Sequence, residues 1–265
     1  MSSDVRHLGL TAALAALSAG EAGAQDSAEL AKKLANPVAS LISVPLQNNY
    51  DCCYGPSDGH RYTLNVQPVV PISIAPEWNL IVRTIVPIIH QEEPAPGVGD
   101  ATGFGDTVQT FFFSPKAARN GLTLAAGPVF LWPTGGSDLS GEKWGAGPSA
   151  LVLKQQGHVT MGVLANHLWS YAGDAARPGV SASFVQPFFT YTYPSSTALS
   201  MSVEATYDWK ADQWNAPLVA GVSRVYRFGQ QRVQLGAQGK VYLDKPAGGP
   251  DWGLRFNVVF LFPRR

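Results

Sequence analysis

The chain has 265 residues, with 19 basic and 19 acidic side chains and a formal net charge of zero at neutral pH. That balance, without any basic stripe, argues against a nucleic-acid partner. Charged residues make up 14% of the chain, against roughly 25% in soluble domains, yet no run reaches the roughly 18 apolar residues that a membrane helix needs.

In chain order, residues 1–24 read as an export signal: Arg6 is its positive end, Leu8 to Leu17 its apolar core and Ala22-Gly23-Ala24 its cleavage site. The alternative is an ordinary buried helix. The mature chain is expected to start near Gln25. Residues 25–40 predict a short periplasmic or plug-like helix with a linker. Asp26 or Ser27 would cap a helix from Ala28 to Ala35, and Asn36-Pro37 would end it.

From Leu41 to the end, residues 41–265, the apolar period changes to two, the signature of strands. The pattern predicts strands at Leu41 to Tyr50, His60 to Ile74, Trp78 to Gln91, Gly103 to Ser114, Gly121 to Pro133 and Lys143 to Gln155. It continues with Val159 to Tyr171, Val180 to Tyr193, Thr197 to Trp209, Trp214 to Phe228, Arg232 to Leu243 and Trp252 to Phe262. In the last of these, Trp252, Leu254, Phe256, Val258, Phe260 and Phe262 share one face, with aromatic rings at both ends. About eleven residues of this kind suit a tilted strand that crosses an outer membrane with a wet lumen behind it. Short turns such as Gln156-Gly157-His158 alternate with longer polar loops such as Glu92 to Thr102, as in single-chain barrels of even strand number. The fold class expected is therefore all-β: a transmembrane antiparallel up-and-down barrel of about 12 strands in the outer membrane of a Gram-negative-type envelope, contacting its lipid.

Inner positions follow from the same alternation. Asn65, Gln67, Arg83, Gln109, Glu204, Gln234, Gln238, Lys240, Arg255 and Asn257 are the candidates to line the lumen, either as a polar filling or as a conducting surface. Glu204 requires a cation, and Arg255 or Lys240 is nearest by strand order. Pro68 and Pro71 lie close together in one strand and cannot donate to a ladder, so they mark a possible wall opening unless bulges absorb them. Cys52 and Cys53 fit relaxed disulfide geometry poorly and have no histidine cluster nearby. They are expected as loop residues rather than a staple, with a redox or metal role as the alternative.

Several runs carry a resemblance to a known family. They are Leu34-Ala35-Asn36-Pro37, Leu41-Ile42-Ser43-Val44-Pro45-Leu46-Gln47, Arg61 to Pro68, Gly103-Phe104-Gly105-Asp106-Thr107, Gly141 to Pro148, Asn166-His167-Leu168-Trp169-Ser170 and Tyr207-Asp208-Trp209. The chain resembles the exported proteins often labelled "neuromedin U", which are similar to the outer-membrane barrels of the MetA pathway of phenol degradation. The resemblance implies a channel or transporter for a small apolar or amphipathic compound. A structural barrel with a plugged lumen is the first alternative and a lipid-modifying enzyme the second. His167 and Ser170, the first candidates for hydrolysis, stand three apart on one strand and so face opposite sides. No enzyme, metal or cofactor is expected.

Overall fold

The structure, a computed structural model, describes residues 27–93 and 99–263. The expected signal peptide and the candidate cap Asp26 lie outside the described residues. The barrel strands are β1 (Ile42–Tyr54), β2 (Gly59–Val66, continued by Val69–Ala75), β3 (Trp78–Glu92) and β4 (Ala101–Phe104, continued by Thr107–Pro115). They are followed by β5 (Leu122–Trp132), β6 (Lys143–Gln156), β7 (Val159–Gly173) and β8 (Ser181–Thr192). The last four are β9 (Thr197–Val203, continued by Ala205–Asp208), β10 (Gln213–Asn215, continued by Pro217–Phe228), β11 (Gln231–Tyr242) and β12 (Trp252–Phe262).

Each strand pairs antiparallel with its sequence neighbours, and β12 pairs back onto β1 from Ile42↔Phe262 to Cys52↔Trp252. The result is a closed 12-stranded barrel with no free edge. Both ends of the barrel chain lie at the rim that carries the short turns, the periplasmic side in such barrels.

Alternation decides what each strand shows to its two sides. On β9, Leu199 and Met201 are exposed on the outside while Ala198 is buried within. On β12, Trp252, Leu254, Phe256 and Phe262 are exposed outside, and Arg255, Val259 and Leu261 are buried inside. Near the rim of longer loops the outer rings meet their neighbours, Trp132 against Trp144 at 5.5 Å and Tyr207 against Trp214 at 4.8 Å between centroids. They form the interfacial belt of a membrane barrel.

The wall is closed where the two prolines suggested an opening. The two parts of β2 keep one register against β3, with Val66↔Val86 and Val69↔Arg83. The Gln67 amide donates to the Pro45 carbonyl at 2.9 Å, and the Thr84 amide donates to the Pro68 carbonyl at 3.1 Å. Pro68 needs only its acceptor there, so neither a gap nor a bulge results. Pro71 is buried in the interior opposite Ile81.

Two further expectations are corrected. Cys52 and Cys53 belong to β1 rather than a loop, and their sulfurs are bonded to each other. Cys53 takes a positive φ of 69° at the register shift between Cys52 and Tyr54, a bulge that turns the second side chain back toward the first. Gln109 faces outward, sharing its side of β4 with Phe111 and the exposed Phe113. There its amide donates to its cross-strand partner Thr84 at 3.1 Å, which satisfies a polar group on a wall that meets lipid.

Candidate functional site: the barrel lumen

The interior is divided lengthwise. Strands β3 to β8 contribute an apolar half, where Ile81, Phe112, Leu151, Leu153 and Leu164 are at most 2% exposed and pack against Val38 of the linker. Burial of each such side chain contributes about 1.5 to 3 kcal/mol. Strands β1, β2 and β9 to β12, joined by Arg83 of β3 and Gln186 of β8, contribute most of the inward polar groups, beside a second apolar cluster of Val225, Val259 and Leu261. Gly147 marks how tightly the wall is drawn together, since a Cβ there would stand 1.7 Å from the His167 carbonyl oxygen on β7.

The inward polar side chains are paired in several groups. Arg255 donates through Nη1 and Nη2 to the two carboxylate oxygens of Glu204, at 2.7 and 2.8 Å, and through Nε to Asn49 at 2.7 Å. Glu204 also accepts from Gln186 at 3.4 Å. Lys240 pairs with Asp51 rather than Glu204, and the Tyr242 hydroxyl donates to the same carboxylate at 2.8 Å. Arg83 donates to Gln67 at 3.0 Å, and Gln67 and Asn65 both donate to Gln47, at 3.1 and 3.3 Å. Asn257 donates to Gln238 and Gln238 to Ser200, at 3.0 and 3.1 Å. Gln234 lines the cavities described below.

The structure thus brings the candidate lumen residues onto one inner surface, apart from Gln109. Sequence reasoning missed Gln47, Asn49, Asp51 and Gln186. The first three stand at every second position of β1, so the alternation could have found them once β1 was extended through Asp51.

The segment ahead of β1 enters the barrel. Residues 27–34 are helical, and one face of this helix presents Leu30 and Ala31, 6% and 1% exposed, to Leu41, Val225, Val259 and Leu261 near the short-turn rim. Gln155 of the wall donates to the Lys32 carbonyl at 3.0 Å, while Lys33 pairs with Glu29 at 2.8 Å on the helix's open face. The Asn36 side chain then accepts from the Val38 amide at 3.0 Å and turns the chain toward β1. Cavities of about 230 and 140 Å³ flank the helix.

At the opposite rim Asp106 fastens a loop. Its carboxylate accepts from Ser140 Oγ at 2.5 Å, the Gly141 amide at 2.8 Å and the Gly135 amide at 3.2 Å. Those three contacts hold the loop between β5 and β6. On the outer wall, His167 Nδ1 lies 2.7 Å from Ser183 Oγ across the ladder, and Trp209 Nε1 donates to the same hydroxyl at 2.9 Å. Ser170 bonds to Val180 instead. The remaining ring nitrogen of His167 has Ser181 Oγ at 3.5 Å. Among the described residues, no group of three or more His, Cys, Asp or Glu could hold a metal ion.

No protein-family model and no curated protein matches the sequence. Solved structures do. An outer membrane channel from Pseudomonas putida F1 superposes with a TM-score of 0.67 at 13% identity, over 84% of this chain and 96% of that one. The chain is an outer-membrane β-barrel. An active-site mutant of the outer membrane phospholipase A from Escherichia coli superposes with a TM-score of 0.51 at 10% identity, over 88% of this chain and 98% of that one. At such identities the likeness is one of fold, and the barrel's own interior has to carry the functional argument.

Proposed function

We propose that the barrel is a channel or transporter that passes small apolar or amphipathic compounds across the outer membrane, with the N-terminal helix as its periplasmic stopper. The observation that carries this reading is the mismatch between stopper and wall. A lumen filled for structure alone needs a continuous core, whereas here a helix of residues 27–34 is seated by few apolar contacts and leaves cavities on both sides. An interior that carries apolar clusters and polar groups beside one another offers an amphipathic solute both kinds of surface at once. The channel among the similar structures supports this reading at the level of fold.

The plugged structural barrel is favoured by one specific observation, the cross-lumen bond between Arg255 and Glu204. Liposome swelling separates the two. Proteoliposomes of the mature barrel should swell in a small neutral solute, and faster once residues 27–36 are removed. No swelling with either protein, both shown to be folded, would favour the structural barrel.

A further inference from the structure

The cavity beside the helix has an unusual charge for a space inside a barrel wall. Its lining includes Arg83, Gln67, Gln186 and Gln234, with Leu164 and Val259 as the cross-strand neighbours of the last two. Lys33, paired with Glu29, also borders it, and no carboxylate is among the lining residues. A guanidinium inside a membrane wall is costly unless its donors are met by an acceptor, and best by an anion.

The two inward carboxylates nearest to this surface are already engaged. Glu204 holds both terminal nitrogens of Arg255, and Asp51 holds Lys240 and the Tyr242 hydroxyl. The hydrogen bond given by Arg83 goes instead to a neutral carboxamide, Gln67, at 3.0 Å. Arginine carries five N–H donors in a planar fork, so Arg83, which lines the cavity, has donors beyond the one given to Gln67. The inner wall as a whole leans the same way, since Arg61, Arg83, Lys240 and Arg255 face inward against Asp51 and Glu204.

We propose that this cavity is a binding site for a small amphipathic carboxylate, an apolar body bearing one carboxylate group, with Arg83 as its anchor. A carboxylate accepts two parallel N–H bonds from a guanidinium. The carboxamides of Gln186 and Gln234 supply further donors, and Leu164 and Val259 give the apolar body a surface to leave water against. A cavity of about 230 Å³ has room for a single-ring or short-chain acid. A neutral solute of the same shape would forgo the charge-assisted bonds to the guanidinium, and an organic cation would be repelled by Arg83. The proposal rests on the channel reading and narrows its solute class.

Equilibrium dialysis of the full mature barrel in detergent micelles tests it, with benzoate as the probe and benzamide and benzylammonium as neutral and cationic counterparts. Benzoate should bind saturably, and more tightly than either counterpart. Arg83→Gln should weaken benzoate by about tenfold or more, the scale of losing a charge-assisted contact, while leaving benzamide unchanged. Arg83→Lys keeps the charge without the fork and should retain part of the affinity. It also serves where Arg83→Gln fails the gel-mobility test of folding. Equal binding of benzoate and benzamide, benzoate binding indifferent to both variants, or no saturable benzoate binding would each overturn the site. Swelling in a neutral solute, measured on the same preparations, reports separately on the channel: if it persists while benzoate fails to bind, only the carboxylate site is lost.

Discussion

Arg255 on β12 and Glu204 on β9 meet across the lumen, each terminal guanidinium nitrogen donating to one carboxylate oxygen, at 2.7 and 2.8 Å. Strands β10 and β11 lie between them in the wall, so the pair bridges the interior rather than lacing neighbouring strands. Such a contact ties down one side of the barrel and narrows the lumen in the same stroke.

Removing both partners should therefore cost less than the two single losses added together. Glu204→Gln leaves Arg255, whose side chain is 8% exposed, without its counter-ion, a loss of about 3 to 5 kcal/mol in a fully buried pair. Glu204 itself is 21% exposed to the lumen, which places the expected loss toward the lower end of that range. The double variant Glu204→Gln with Arg255→Gln should recover about 1 kcal/mol or more relative to additivity. Urea unfolding of the refolded barrel in micelles measures both, and strictly additive effects would show that the pair contributes nothing beyond its separate residues.

The outward polar pair of Thr84 and Gln109 should behave in the opposite way. Gln109→Leu replaces an amide on the lipid-facing wall by an apolar side chain and should leave stability unchanged or raised. Thr84→Val deprives the Gln109 amide of its acceptor and should cost about 1 to 2 kcal/mol. A large loss on Gln109→Leu in the same unfolding assay would contradict the outward placement.

These pairs also show where the sequence was readable. Strand β9 alternates Leu199, Ser200, Met201, Ser202, Val203 and Glu204 without interruption, so its faces could be assigned from pattern alone. Strand β4 carries Phe111, Phe112 and Phe113 in succession, and three apolar residues in a row erase the parity that would have told Gln109 from Thr110. The partner of Lys240 was hidden for another reason. Asp51 lies far from it along the chain, and the two come together only because β12 stands between β11 and β1 in the closed wall. The side-by-side cysteines looked like loop residues because the bulge that accommodates them has no signature in the pattern.

Closure of the wall at Pro68 gives a further test. Since the Gln67 and Thr84 amides bond across the wall on either side of Pro68, Pro68→Val with Pro71→Val should leave uptake of an apolar solute into proteoliposomes unchanged. Slower apolar uptake with unaltered swelling in small polar solutes would show that the wall does open there.

The N-terminal helix as stopper is the central claim, and single-channel conductance in a planar bilayer tests it most directly. The barrel with its helix in place should show a low conductance, and the variant lacking residues 27–36 a conductance several times higher, because the cavities beside the helix would join into one passage. Equal conductance of the two proteins, both inserted and folded, would contradict the account.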